Sequence, residues 1–186
     1  MDNRILMWSG GSSSTLCLLK ELEKYKYSEV WSFDWTMNDL IKRLSEEKAR
    51  ENFKNNYHNN KLKIDHNVIK LKHRPISISK NQVELIDLII QLSILLVPTK
   101  TTLIFGFTLD NYLWKFSKFI EDQAKHLQKE IYVETPLSQI SEYKVFEEVK
   151  KFEFNFWDCE SPDVIGEECG KCSKCLKNKS FIENMK

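Results

Sequence analysis

The sequence contains little glycine, proline or histidine, and neither sign of charge dominates it. Five glycines, four prolines and four histidines occur among 186 residues, and 28 Lys and Arg balance 27 Asp and Glu to a formal net charge of +1. A near-neutral chain lacks an overall field that would attract nucleic acid, so we expect no nucleic-acid partner. The hydrophobic content of 41% and the aromatic content of 12% exclude a disordered chain. One domain of ordinary size is predicted.

Long hydrophobic runs are also lacking. The longest apolar stretch, Val83 to Val97, is interrupted by charged and polar residues and is too short to span a bilayer, so we interpret it as a core helix. The N-terminal MDNRILMWSGG lacks the basic and apolar regions of a secretory signal. We therefore expect a cytoplasmic protein with no membrane partner.

Short apolar runs alternate along the chain with segments of helical periodicity. Strands are predicted at Arg4–Trp8, Glu29–Trp35, Ile64–Leu71, Thr101–Phe107 and Ile131–Val133, and helices at Thr15–Leu22, Met37–Tyr57, Asn81–Val97 and Leu113–Gln128. This alternation indicates an α/β fold with a doubly wound, mainly parallel sheet and helices on both faces. Ligands of such sheets bind beyond the carboxyl ends of the strands. The periodic pattern ends near Phe154, which predicts a main domain over residues 1–153 and a C-terminal segment, 154–186, that packs on it.

A loop rich in glycine and serine follows the first predicted strand and opens the first predicted helix. Backbone N–H groups and the positive end of a helix dipole converge at such a point, which suits a phosphate group. The sequence matches neither the Walker nor the dinucleotide-binding glycine pattern. A simple polar turn that caps the helix is the alternative, and the segment alone does not decide between the two. The candidate phosphate-binding residues are Ser9, Gly10, Gly11, Ser12, Ser13, Ser14 and Thr15.

Four of the five cysteines lie close together near the C-terminus with the spacing C-x9-C-x2-C-x2-C, and these are Cys159, Cys169, Cys172 and Cys175. Four thiolates at this spacing suit tetrahedral zinc, and a closed shell of four leaves no open position for water. We therefore predict a structural zinc knuckle rather than a catalytic metal. An iron–sulfur cluster is the less favoured alternative, because the crowded run has no proline after it. Nearby lysines would offset the thiolate charge, and Gly170 would allow the tight turn between ligands.

The remaining cysteine and the histidines receive structural interpretations. Cys17 lies on the apolar face of the first predicted helix and is interpreted as a small buried hydrophobic residue. The histidines His58, His66, His73 and His126 show no metal-ligand spacing and are interpreted as surface residues.

The loop resembles the PP-loop, S-G-G-x-D-S, of the ATP pyrophosphatase superfamily. Ser9, Gly10, Gly11 and Ser14 match, whereas Ser13 stands where the superfamily has an aspartate. The resemblance implies ATP and Mg²⁺ as cofactors, with the loop binding the pyrophosphate part of ATP. Asp34 and Asp110 are the candidates for the carboxylate that the loop lacks.

The PP-loop and the four-cysteine knuckle together resemble the 7-cyano-7-deazaguanine synthase (QueC) family nearly from end to end. The matching segments are Phe33-Asp34-Trp35, Lys80-Asn81, Gly106 with Thr108 to Asn111, Glu134-Thr135-Pro136-Leu137, Trp157-Asp158-Cys159 (W-S-C in the family) and the run Cys169 to Cys175. Two departures accompany Ser13: Glu142 replaces a family lysine, although Lys144 is close, and the loop after Gly106 is reduced.

The resemblance implies an enzyme, an ATP-dependent carbon–nitrogen ligase. It would adenylate the carboxylate of 7-carboxy-7-deazaguanine, form the amide with ammonia, and dehydrate the amide to the nitrile with a second ATP. Two alternatives remain: a diverged protein of an antiviral defence operon that joins the deazaguanine to a protein amine, and a degenerate, non-catalytic binding protein. The resemblance also implies a homodimer. The candidate catalytic residues are Lys80, Lys144 and Asp110, and Arg74 is a further candidate cation. Besides the loop, the candidate nucleotide-binding residues are Asp34, Asn81 and Gly106. Trp35, Phe107 and Trp114 are candidates for an aromatic wall of the substrate pocket, and packing in the core is the alternative role for these three.

Overall fold

The computed structural model describes residues 3–25, 27–35, 40–56, 63–71, 90–152 and 156–185. The strands are β1 (Asn3–Met7), β2 (Tyr27–Trp35), β3 (Lys63–Leu71), β4 (Thr101–Ile104) and β5 (Ile131–Glu134). The helices are α1 (Ser12–Tyr25), α2 (Leu40–Asn56), α3 (described over 90–96), a 3-10 helix (Tyr112–Phe116), α4 (Ser117–His126), α5 (Glu142–Val149) and α6 (Ser173–Asn184).

The five strands form one sheet in the order β3-β2-β1-β4-β5, and every pairing is parallel. Strand β1 lies in the centre, with Leu6 in register with Val30 of β2 and Ile104 of β4. The chain moves outward from β1 to β3 and then returns to the other side of β1. This change of direction places a crevice at the carboxyl ends of β1 and β4, which is where ligands of such sheets bind.

Alternating side chains of the central strands pack into a hydrophobic core on each face of the sheet. Leu6 packs with Leu18 and Leu22 of α1, in a cluster that also contains α5 residues. Ile5 and Met7 pack on the opposite face, in a cluster that contains residues of α3 and α4. Because side chains alternate along a strand, one short strand can support both layers. The predicted doubly wound α/β fold is confirmed.

Several element bounds differ from the prediction. Strand β4 ends at Ile104 rather than Phe107. The predicted helix Leu113–Gln128 is divided into a 3-10 helix and α4, since Asn111 caps the first turn and the hydroxyl of Ser117 donates to the carbonyl of Trp114. Helices α5 and α6 were not predicted.

The C-terminal segment contacts the main domain at several described points, among them two hydrogen bonds donated by its backbone. The backbone N–H of Trp157 donates to the carbonyl of Gly10 over 2.9 Å, and the N–H of Gly166 donates to Ser45 Oγ of α2 over 2.9 Å. The predicted boundary between residues 153 and 154 lies outside the described residues. None of the helices in the described part of the chain has the length and apolar character needed to cross a bilayer.

Two interpretations of single residues can be compared with the structure. Cys17 is fully buried, and burial raises the pKa of its thiol to about 12, which confirms the structural interpretation. The surface assignment is wrong for His66, which is half-buried, with its Nε2 2.9 Å from Ser32 Oγ and its ring against Trp8. His126 is exposed as expected, whereas His58 and His73 lie outside the described residues.

Candidate functional site

The glycine–serine loop leaves β1 at the crevice and is closed by hydrogen bonds of its own. Ser9 Oγ lies 3.0 Å from Ser14 Oγ and accepts from the N–H of Gly11 over 3.2 Å. Ser14 Oγ also lies 3.2 Å from the carbonyl of Gly11, to which it donates. Gly10 adopts a φ of 92°, a conformation that favours glycine. The loop is therefore a fixed turn that aims the first N–H groups of α1 at one spot.

The loop after β4 presses against this turn. A Cβ atom on Gly106 would lie 2.9 Å from the backbone carbon of Ser13 and 2.9 Å from the backbone nitrogen of Ser14. Only glycine allows the two loops to approach this closely. The sequence prediction that Gly106 belongs to the same site as Ser13 and Ser14 therefore agrees with their placement.

A carboxylate from the C-terminal segment also reaches the turn. Asp158 Oδ1 accepts from the N–H of Ser12 over 2.9 Å. A Cβ atom on Gly11 would lie 2.9 Å from the same oxygen, so the absence of a side chain at Gly11 makes room for the carboxylate. No acidic residue occurs in the first turn of α1, and Asp158 supplies the negative charge that a helix N-terminus favours.

A cavity of about 400 Å³ opens in front of the loop at the carboxyl edge of the sheet. Its lining combines the loop with three cations, three acids and an aromatic wall. The loop residues are Ser9, Gly11, Ser12, Ser13 and Ser14; the cations are Lys42, Arg50 and Lys174; the acids are Glu46, Glu142 and Asp158; the aromatic residues include Trp31, Phe33, Phe105, Phe107 and Phe146. This volume and this mixture of groups suit a flat polar ligand with an anionic tail.

Arg50 is the most buried of the three cations. Its side chain comes from α2, is only 4% exposed, and donates through Nη1 to the carbonyl of Ser9 over 2.8 Å. A cation held beside the loop would stabilise the charge of a bound phosphate. Lys42 and Lys174 each pair with an acid that also lines the cavity: Lys42 Nζ lies 3.8 Å from Glu46 Oε1, and Lys174 Nζ lies 3.7 Å from Glu142 Oε2.

The buried polar atoms of the cavity lining that lack a hydrogen-bond partner among the described residues include Thr108 Oγ1, on a residue that is 2% exposed, and Trp157 Nε1, on a residue that is 8% exposed. Buried polar groups are nearly always satisfied, so these two atoms are candidates for hydrogen bonds to a ligand or a water in the cavity.

Three other candidates are not among the described residues that line the cavity. Thr15 is buried, and its Oγ1 accepts from Trp8 Nε1 over 3.2 Å, so its hydroxyl serves packing. Lys144 is exposed on α5 and bound to Glu147 at 2.6 Å. Asp110 Oδ2 accepts from the N–H of Glu142 at the start of α5 over 2.6 Å. Neither Lys144 nor Asp110 is among the described residues that line the cavity.

The remaining candidates fall outside what the structure describes. Lys80, Asn81 and Arg74 lie outside the described residues. Asp34 lies near the carboxyl end of β2, at the correct edge of the sheet, but the description of Asp34 and Trp35 does not extend to their side chains.

The four cysteines converge on one point beside the cavity, and Cys159 lines it. All four Sγ atoms lie within 4.8 Å of one another, a group that can hold a metal ion. Tetrahedral zinc, with Zn–S bonds of about 2.3 Å, separates its sulfurs by about 3.8 Å. The observed spacing therefore fits a single metal ion, whereas the thiolates of a cubane cluster bind different irons and stand farther apart.

Backbone N–H groups point at the cysteine sulfurs. The N–H groups of Glu160 and Cys175 each lie 3.5 Å from Cys172 Sγ, and the N–H of Cys169 lies 3.4 Å from Cys159 Sγ. Burial raises the pKa of the Cys159 and Cys175 thiols. Burial acts in the same direction on Cys172, but the donated hydrogen bonds outweigh it and lower its pKa to about 6. The donated hydrogen bonds therefore favour the thiolate form of Cys172. Gly170 adopts a φ of 68° between two ligands, as expected for the tight turn.

Sequence reasoning missed the cavity cations and Asp158 as site residues. Lys42 and Arg50 lie on α2 among other charged residues, and nothing in the pattern distinguishes them from a solvated helix face. Asp158 was noted within the motif around Cys159, and its position beside a metal ligand was the available signal.

No family model and no curated protein matches this sequence. Solved structures do resemble it, among them the two that follow. One is the U34-tRNA thiolase NcsA from Methanococcus maripaludis with its 4Fe–4S cluster, which aligns with 99% of this chain at a TM-score of 0.58 and 17% identity. The match covers 66% of the thiolase chain, so this chain spans slightly less than two thirds of its length. A predicted subunit of tRNA methyltransferase from Methanocaldococcus jannaschii DSM aligns with 100% of this chain and 88% of its own at a TM-score of 0.53 and 13% identity.

These likenesses concern the fold. The five-stranded parallel sheet with helices on both faces matches the α/β fold of these two structures. Neither neighbour is a 7-cyano-7-deazaguanine synthase, so the finer family assignment stays a prediction.

Proposed function

We propose that this protein is a PP-loop enzyme that uses ATP to adenylate the carboxylate of 7-carboxy-7-deazaguanine or a related deazapurine. One observation carries the proposal: the N-terminal turn of α1 and three cationic side chains face one cavity of about 400 Å³ at the carboxyl edge of the sheet. The near end-to-end motif resemblance to the 7-cyano-7-deazaguanine synthases supports the substrate.

The first step transfers adenylate. A carboxylate oxygen of the substrate attacks the α-phosphorus of ATP, the bond to the bridging oxygen breaks, and pyrophosphate leaves with the bond electrons. Negative charge grows on the pyrophosphate, and the N–H groups around Ser13 together with Arg50 would stabilise it. Lys42 and Lys174 would bind the remaining phosphate oxygens or the substrate carboxylate.

The second step releases AMP. Ammonia attacks the acyl carbon, AMP leaves, and one proton is lost as the amide forms. In the nitrile-forming step the amide oxygen attacks the α-phosphorus of a second ATP with loss of pyrophosphate, after which AMP and protons depart. Lys80 remains a proposed cation for these steps. Lys144 and Asp110 are weaker proposals because their side chains are engaged outside the cavity lining.

The aromatic wall supports a flat heterocycle. Phe105 and Phe107 stack with ring centroids 5.0 Å apart and planes 8° apart, and both line the cavity. A parallel pair of rings offers a face on which a deazapurine or the adenine of ATP can stack. Trp114, predicted for this wall, is not among the described lining residues.

The four-cysteine centre is proposed to hold zinc, with Cys159, Cys169, Cys172 and Cys175 as ligands. A bound zinc ion would cross-link the C-terminal segment and supply no chemistry of its own, because four protein ligands close its shell. The sulfur spacing within 4.8 Å fits this role.

The test is AMP formation with a defined carboxylate. The protein is incubated with ATP, Mg²⁺, ammonium and 7-carboxy-7-deazaguanine, with 7-deazaguanine as the control that lacks the carboxylate. AMP and a deazaguanine amide or nitrile are expected only with the carboxylate. Arg50→Met should abolish the reaction, whereas Arg43→Met, on the same helix and absent from the cavity lining, should not. Equal AMP with both compounds, or none, contradicts the proposal.

A second candidate acts on tRNA, and it is favoured by the fold neighbours, a tRNA thiolase and a predicted subunit of tRNA methyltransferase. Replacing the deazaguanine acid by tRNA in the same assay separates the two, because AMP formation would then depend on tRNA. Intact-mass analysis tests the alternative in which the activated deazaguanine is transferred to a protein amine, because an added acceptor protein would then gain mass. No turnover in any arm favours the non-catalytic alternative.

A further inference from the structure

The nucleotide cavity has one carboxylate that no described cation neutralises. Glu142 Oε2 is shared by Lys174 and Lys177, and Glu46 faces Lys42. Asp158 forms no ion pair with any described residue. Its Oδ1 accepts from the N–H of Ser12, and Asp158 lines the cavity.

This carboxylate lies where a nucleotide phosphate would need a cation. The loop supplies neutral donors only, because its residues from Ser9 to Thr15 are glycine, serine and threonine. Mg²⁺ takes oxygen ligands and binds through one or two carboxylates, phosphates and water. A second observation points to a missing ligand here: Thr108 Oγ1, in the same lining, is buried without a partner among the described residues.

The position of Asp158 is fixed from both sides. The neighbouring N–H of Trp157 donates to the carbonyl of Gly10, and the next residue, Cys159, belongs to the cysteine cluster. Gly11 leaves the space that the carboxylate fills. Asp158 is therefore held against the loop by backbone contacts and not by a chance surface interaction.

We infer that Asp158 binds the Mg²⁺ of MgATP, so that the C-terminal segment supplies the acid that the loop lacks at Ser13. The inference rests on the proposed function for its nucleotide. It assigns Asp158 a direct role in binding, and it makes correct placement of the cysteine segment a condition for using Mg²⁺.

The test measures ATP affinity by calorimetry with Mg²⁺ and with EDTA, using the full chain. Mg²⁺ should raise the affinity of the wild type by about tenfold or more. Asp158→Asn keeps an oxygen for the N–H of Ser12 but loses the charge, so its affinity should no longer respond to Mg²⁺. Adding Ser13→Asp to that variant should restore the response. Glu130→Gln, an exposed residue before β5, is the control, and the zinc content of each variant verifies the knuckle.

The outcomes separate this inference from the proposed function. A Mg²⁺ response that survives in Asp158→Asn overturns the inference alone. Tighter binding by Asp158→Asn both with Mg²⁺ and with EDTA also overturns it, since the carboxylate would then compete with phosphate. If the wild type binds no ATP under either condition, the inference and the proposed function fail together.

Discussion

Asp158 and Ser12 are 146 residues apart in the chain, yet the carboxylate of Asp158 accepts a hydrogen bond of 2.9 Å from the backbone N–H of Ser12. This contact joins the glycine–serine loop to the segment that carries the cysteines. It makes the C-terminal segment part of the proposed nucleotide site.

Substituting Gly106 by alanine should displace the loop. The added Cβ would lie 2.9 Å from backbone atoms of Ser13 and Ser14, which cannot move as a flexible side chain would. We expect a loss of about 1–3 kcal/mol in the free energy of unfolding and at least tenfold weaker ATP binding. Urea denaturation and calorimetry measure the two effects. Unchanged ATP affinity would show that the loop is not the nucleotide site.

Substituting Arg4 by methionine should affect stability and leave the nucleotide site intact. Arg4 bridges the buried Glu21 of α1, at 3.1 Å, and Glu134 of β5, at 2.7 Å. Removing it leaves Glu21 buried without its cation, so we expect a loss of about 2–3 kcal/mol. The control Lys118→Met breaks an exposed pair with Asp122 and should cost about 0.5 kcal/mol or less. Equal losses in the two variants would contradict this account.

Acid should destabilise the protein through His66. Burial, with the charges of Lys54 and Arg50, lowers its pKa from 6.5 to about 4. Between these two pH values His66 is protonated in the unfolded chain but neutral in the folded chain. The free energy of unfolding therefore decreases as the pH falls from about 6.5 toward 4. His66→Gln should flatten the pH dependence of the melting temperature in this window, whereas His126→Gln should not. Identical pH profiles for the wild type and His66→Gln would contradict the assignment.

Removing the cysteine-bound metal should loosen the C-terminal segment. We expect about one zinc per chain by elemental analysis, and Cys172→Ser should lose the metal and lower the melting temperature. Cys17→Ser, which changes the buried cysteine outside the cluster, should keep the metal. Iron with visible absorbance in the purified protein would contradict the assignment of zinc.

The sequence was sufficient to predict the layers of the fold. The pattern of apolar residues predicted the five strands that the structure describes; β1 and β4 are short and largely buried, as is typical of central parallel strands. Helix α5 was missed although its signal was present, with Ser141 as N-cap and Val145, Phe146 and Val149 on one face. Helix α6 carried little signal, since its N-cap is the sulfur of Cys172 and only Cys175 and Asn178 of this helix are buried.

The parts of the candidate site that are formed by residues close together in the sequence could be predicted. The loop and the cysteines are local patterns: residues of the loop line the cavity, and the four cysteine Sγ atoms lie within 4.8 Å of one another. Arg50 and Asp158 reach the cavity through tertiary packing, which brings α2 and the C-terminal segment to the loop. No pattern along the chain could show those contacts.

The most direct test of the central claim is the exchange of labelled pyrophosphate into ATP. If the protein adenylates the deazaguanine carboxylate reversibly, label should enter ATP in the presence of Mg²⁺ and 7-carboxy-7-deazaguanine, and neither 7-deazaguanine nor the absence of a substrate should support exchange. Exchange that is independent of the carboxylate, or no exchange in a protein shown to bind both ligands, would contradict the account.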